Sequence, residues 1–190
     1  EALAILAGDA LQALAFQTLG QDPAMTPDPD LRLRMIGILA QAAGSRGMVG
    51  GQAIDLAATG RELSLAELEN MHIHKTGALI RASVLLGALS QPATDPALLE
   101  RLDRYAKCIG LAFQIRDDIL DVVGDTATLG KPQGSDRVLN KPTYPALLGL
   151  EGAREHAQLL HQNALASLDA FGSEADPLRW IAAYIVERPS

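Results

Sequence analysis

The chain has 190 residues, 48% of them hydrophobic, enough for one globular domain with a sizeable core. Sixteen Lys and Arg stand against 23 Asp and Glu, and the net charge of −7 excludes a partner gripped by a broad basic field, whether nucleic acid or an anionic membrane surface. The single cysteine, Cys108, excludes an internal disulfide, and no uninterrupted apolar run of about 20 residues is present to span a bilayer, so a reducing cytoplasm is the expected setting.

Apolar residues recur at helical spacing almost throughout and β-branched alternation is nearly absent, so one all-α domain over residues 1–190 is expected. The chain opens on Glu1, and the first apolar stretch contains Asp9, unlike a signal peptide; it reads as the C-terminal portion of something longer. A first helix is predicted from Ala2 to Leu19, closed by Gly20 and QDPAMTPDPD, and a second from about Leu31 to Ala43. PDPDLRLR sets acids before arginines, but Pro27 and Pro29 mark it as a loop. GSRGMVGG separates the second helix from Gln52–Ala58; its glycines suit close helix packing, which makes Asp55 a packing residue and leaves open whether Gln52 faces a cavity.

Ser64 and Glu67 form a capping box that opens a helix running towards His74, and KTGALIRASVLLGAL carries a further one. Asp95, with Pro96 behind it, starts a long helix to about Val123, ended by Gly124. DTATLGKPQGSDRVLNKPT is a polar loop, after which a helix is predicted from about Tyr144 to Phe171 and a last one capped by Asp176 and Pro177.

The long helix carries GLAFQIRDDILDVVGD. Ile115, Ile119, Val122 and Val123 share one apolar face, and Asp117, Asp121 and Asp125 share another, with Asp118 and Gln114 beside them. Like charges at this spacing cost only about 0.2 to 0.5 kcal/mol a pair, so a solvated acidic face is as natural a reading as a metal site. Adjacent carboxylates with a third one turn later are expected to converge on a point off the helix, the hard oxygen set that suits Mg²⁺. There is no calcium loop, and His72, His74, His156 and His161 lack the spacing of a helical zinc pair. Carboxylates side by side on one helix are also unlike the facing pair of a glycosidase.

A metal with few protein ligands bridges to substrate phosphates, which directs attention to Lys131 and Lys141 in the following loop and to Lys75 with the hydroxyl of Thr76. GDTATLGKP is not a P-loop, because Pro132 stands where Ser or Thr would bind the metal.

Together, GDALQALAF, GMVGGQAIDLA, HKTGALIRASV, GLAFQIRDDILDVVGD, LGKPQGSD and KPTYPALLGL resemble the trans-isoprenyl diphosphate synthases, most closely the bacterial farnesyl diphosphate synthases. The resemblance implies an isoprenoid-synthase helical bundle around a central cavity and a homodimer. It also implies Mg²⁺-dependent condensation of isopentenyl diphosphate with dimethylallyl or geranyl diphosphate to give farnesyl diphosphate. Carried over by position, Asp117, Asp118 and Asp121 would hold Mg²⁺ on the allylic diphosphate, and Lys75, Lys131 and Lys141 would hold that diphosphate directly. Thr76 and Gln114 would lie near the reacting carbons and Phe113 beside the isopentenyl group; Arg116 is given no role, and Arg188 in VERPS resembles the family's basic tail only loosely.

The same resemblance places the family's first aspartate-rich motif before Glu1, so residues 1–190 alone are not expected to catalyse the condensation. A terpene cyclase of the same fold is disfavoured by an aromatic content of 4%, since such enzymes guide their cations with aromatic walls. A non-catalytic fragment that binds diphosphates or dimerises is the other alternative.

Overall fold

The computed structural model describes residues 2–91, 95–123 and 142–188, and every regular element within them is helical. The chain begins with α1 (Ala2–Gln21) and α2 (Pro29–Ala43). Helix α2 starts earlier than the proline pattern suggests: Asp28 caps it, accepting from the amides of Asp30 and Leu31 at 2.9 and 3.3 Å. Pro29 takes the first helical position, where a missing N–H is harmless. Arg32 turns back and donates to the carbonyls of Thr26, Leu19 and Asp22 at 2.7, 3.2 and 2.7 Å. Its charge therefore ties down the α1–α2 connection instead of facing a ligand.

Helix α3 (Met48–Ala58) takes in Gly50 and Gly51, two of the four glycines expected to lie in a separator. Helix α4 (Leu65–His72) opens on the expected capping box, with Ser64 Oγ accepting from the Glu67 amide at 3.3 Å and Glu67 Oε2 from the Ser64 amide at 2.8 Å. No break follows at His74. A π-helical turn, Ile73–Gly77, joins α4 directly to α5 (Ala78–Leu89).

The organising element is α6 (Pro96–Val123), started by Asp95, whose Oδ1 accepts from the Ala97 amide at 2.9 Å. Its first half packs Leu102, Tyr105, Ala106, Ile109 and Ala112 against residues of α7 (Tyr144–Ser167) and α8 (Asp176–Glu187), including Ala164 and Ile185. Its second half packs Ile115 and Ile119 against Leu68, Met71, Tyr144 and Ala153. Two apolar clusters thus hold α6 from different sides. Val122 and Val123, expected on the same apolar face, are instead exposed at 46% and 40%, although Leu120 and Asp121 just before them are buried.

Helix α7 ends before the expected Phe171 and is kinked at Gly149, whose φ of 71° favours glycine. Helix α8 includes Asp176 rather than being capped by it. Arg179 donates to Asp176 and to the carbonyls of Leu168, Phe171 and Gly172, closing the α7–α8 turn.

Helix α1 contributes little to these clusters. Leu19 is buried with Met35 and Leu89, but Leu3, Leu6 and Leu14 are exposed at 82%, 62% and 52%. It is also the one described helix long and apolar enough to cross a membrane by length and composition, with a mean hydropathy of 1.4, although Asp9, Gln12 and Gln17 interrupt it.

Candidate functional site

The site starts from the π turn, whose sequence is IHKTG. A π turn fits one extra residue into a helix and changes the direction of the side chains within it. Helix α3 lies against this turn: a Cβ on Gly51 would sit 2.0 Å from the Lys75 amide nitrogen and 2.4 Å from its Cα, so the approach requires glycine. One helical turn beyond Gly51, Asp55 is buried and its Oδ2 accepts from Lys75 Nζ at 2.6 Å. Asp55, expected to be a packing residue, is therefore the anion that aims Lys75. An ammonium has three donors, so this contact leaves capacity for a ligand. Thr76, next in the turn, is partly buried, and Gln52 is exposed on α3.

On the other side of the turn, Gly77 meets α6 at Gly110, where a Cβ would lie 3.1 Å from the Gly77 Cα. Farther along α6 come the residues singled out in the sequence. Gln114 is 9% exposed and Phe113 is partly buried. The Asp117 side chain is 46% exposed and pairs with the Arg188 guanidinium, which also lies 4.7 Å from the Phe113 ring centroid. Arg116, given no role from sequence, donates to the Arg188 carbonyl at 2.6 Å and so anchors the residue that meets Asp117. A half-exposed ion pair of this kind contributes about 0 to 1 kcal/mol, little enough for an incoming cation or diphosphate to displace.

Asp118 and Asp121 are buried, and Asp118 Oδ2 accepts from the Tyr144 amide at 2.9 Å. The expected convergence on one point is not seen: among the described residues, no three Asp, Glu, His or Cys side chains come together as metal ligands would. Neighbours on a helix are rotated by about 100°, which points Asp117 and Asp118 in different directions. Asp125, Lys131 and Lys141 lie outside the described residues.

Behind the acidic segment sits a buried aromatic stack. The His72 ring lies on Tyr144 with centroids 5.7 Å apart, and Tyr144 in turn meets His156 at 6.0 Å. Burial pushes the His72 imidazole down to about 4; Gln114 opposes the shift, Lys75 adds to it and Asp55 opposes it. Asp118 also faces the ring, its Oδ2 4.0 Å from Nε2. The folded pKa lies below the unfolded value near 6.5, so the unfolded state takes up a proton that folded His72 does not. Stability is therefore expected to fall as pH drops from about 6.5 towards 4, by up to about 3 kcal/mol from this residue. Urea unfolding of the wild type and His72→Gln at about pH 7 and about pH 4.5 checks this, and an identical pH slope in both proteins would contradict it.

A cavity of about 550 Å³ adjoins the same turn, lined by Ile73, His74 and Gly77 together with Ile38, Ala42 and Leu111. None of the three aspartates lines it. Arg81 and Lys107, also on its wall, share one carboxylate, that of Asp103.

The chain has relatives of known sequence and structure. Residues 1–172 match the polyprenyl synthetase family, and the chain belongs to that family. It is 55% identical over 99% of its length to a farnesyl diphosphate synthase of Escherichia coli and 48% identical over 100% to one of Haemophilus influenzae. The chain spans 64% of the length of each of these relatives.

Solved structures agree on the fold. A Zymomonas mobilis FPP/GFPP synthase matches with a TM-score of 0.82 at 46% identity, covering 97% of this chain and 61% of that one. A Helicobacter pylori geranyltransferase, crystallised with magnesium and isoprenyl diphosphate, matches with a TM-score of 0.78 at 34% identity, covering 98% of this chain and 59% of that one.

Proposed function

We propose that the protein is a prenyltransferase that condenses isopentenyl diphosphate with dimethylallyl or geranyl diphosphate to form farnesyl diphosphate. The observations that carry this reading are Lys75, aimed by Asp55 from the π turn, and the half-exposed Asp117 carboxylate on α6, the helix that the same turn meets at Gly110. Their setting in a chain 55% identical to a farnesyl diphosphate synthase supports the choice of substrate.

In this reading the Lys75 ammonium holds the allylic diphosphate by a charge-assisted hydrogen bond, and Lys131 and Lys141 add to that grip. Thr76 and Gln114 line the reacting carbons, and Phe113 lies beside the isopentenyl group. The carboxylates of the acidic segment are hard oxygen donors, and Asp117 is exposed enough to be shared with a substrate, which fits Mg²⁺. Mg²⁺ held there through Asp117 would neutralise charge on the leaving diphosphate. Arg188, which pairs with Asp117, would have to give way to a ligand there.

The test is an assay for farnesyl diphosphate with residues 1–190 joined to the upstream segment of the family, both substrates and Mg²⁺. Product that depends on Mg²⁺ and falls in Lys75→Ala supports the reading; product formation indifferent to Lys75 would end it. The exposed apolar face of α1 supports a homodimer in which a second copy covers Leu3, Leu6 and Leu14. Sedimentation as a monomer at micromolar concentration would contradict that assembly.

A further inference from the structure

We propose that Asp118 is a positioning residue whose carboxylate caps the start of α7 from a distance, while Asp117 beside it carries the ligand-facing role. The inference rests on the prenyltransferase reading only for the part given to Asp117.

Every helix begins with backbone N–H groups that lack an intrahelical acceptor, and its positive end favours an anion. In α7 the local residues leave this need unmet. Thr143 occupies the N-cap position but its side chain makes no capping bond, and the next position but one is a proline. The Tyr144 amide, first in the helix, donates instead to Asp118 Oδ2 at 2.9 Å, a buried bond between residues 26 apart in the chain. Asp118 thus supplies from α6 both the acceptor and the negative charge that a local cap residue would otherwise provide.

Burial separates the two neighbours. The Asp118 side chain is 10% exposed where that of Asp117 is 46% exposed. The residue that Asp118 holds is also a core anchor: Tyr144 is fully buried, packed with Ile115 and Ile119 and stacked on His72. Tyr144 follows closely on residues 124–141, the stretch that contains Lys131 and Lys141. Asp118 therefore fixes where the chain rejoins the described bundle after its lysine-bearing segment. Adjacent aspartates divide the work by direction, one turned towards a ligand and the other towards the scaffold.

The test compares Asp118→Asn, Asp118→Ala and Asp117→Asn in the full chain. The first readout is hydrogen exchange of the Tyr144 amide by NMR; the second is calorimetric titration with Mg²⁺ and inorganic pyrophosphate. Asp118→Asn keeps an acceptor oxygen, so the Tyr144 amide should stay protected and the Mg²⁺ affinity should remain within about twofold of wild type. Asp118→Ala should speed exchange at Tyr144 by about tenfold while amides in the middle of α6 are unchanged. Asp117→Asn should leave that exchange untouched and weaken Mg²⁺ binding by about tenfold or more. If Asp118→Ala does not fold, Asp118→Asn decides alone. Mg²⁺ affinity that falls in Asp118→Asn as far as in Asp117→Asn, or unchanged Tyr144 exchange in Asp118→Ala, would overturn the proposal. Unchanged Mg²⁺ binding in Asp117→Asn would count against the metal role of Asp117, whereas the capping role stands or falls on the Tyr144 amide.

Discussion

With residues 1–190 joined to the upstream segment of the family, Asp117→Ala is expected to slow prenyl transfer by about a hundredfold or more while leaving the fold essentially as stable as before. The two effects separate because of where the side chain sits. Among the described residues its stabilising contact is the pair with Arg188, half-exposed and therefore contributing about 0 to 1 kcal/mol. Its proposed catalytic contribution is larger: charge on a leaving diphosphate has to be neutralised in a site that excludes water, and removing one such electrostatic element commonly costs about 3 to 4 kcal/mol in the transition state. Steady-state rates at saturating Mg²⁺ and thermal unfolding of the same preparation check both halves. A rate within about fivefold of wild type would return Asp117 to an ordinary solvated acidic face.

Gly51→Ala is expected to damage stability and substrate binding together. A methyl group there would lie 2.0 Å from the Lys75 amide nitrogen and 2.7 Å from the His74 carbonyl carbon, distances that neither backbone can accept without moving. Because the obstacle is main chain and not a rotatable side chain, α3 and the π turn must part. Overpacking of this kind costs about 1 to 3 kcal/mol or more. The same displacement carries Asp55 away from Lys75 and so loosens the ammonium that the diphosphate would meet. Gly8→Ala is the control, since nothing lies within 4 Å of a Cβ at that position. Equal unfolding midpoints for Gly51→Ala and Gly8→Ala would contradict the close contact.

The helical order was legible because its signals are local. The Ser64 and Glu67 box, the Asp95 cap and the spacing of Leu102, Ile109 and Ile115 each act within a turn or along one face. The glycines of GSRGMVGG misled because glycine is a poor helix former on its own; here one of them is held in α3 by the close approach of the π turn. Periodicity also could not show the π turn, since a single inserted residue leaves the apolar pattern of α4 and α5 almost unchanged. Arg32 and Arg179 bond backbone carbonyls across turns, and Arg116 bonds the distant Arg188 carbonyl, contacts that depend on where those carbonyls fall.

The candidate site divides in the same way. Lys75 and the aspartates stood out by residue type and spacing, but the partners that aim them come from other elements: Asp55 from α3, Arg188 from the chain end and the Tyr144 amide from α7. Asp55 had one available signal, its place four residues after a glycine already singled out for close packing.

In the proposed site Lys75 and Asp117 meet the two parts of one ligand, a diphosphate and its metal. Calorimetric titration of a non-reactive allylic diphosphate analogue, with and without Mg²⁺, tests it most directly. Binding is predicted to require Mg²⁺ in the wild type, to weaken by about 1.5 to 3 kcal/mol in Lys75→Ala, and to lose most of its Mg²⁺ dependence in Asp117→Ala. Equal affinity in all three proteins, or binding indifferent to Mg²⁺ in the wild type, would contradict the account.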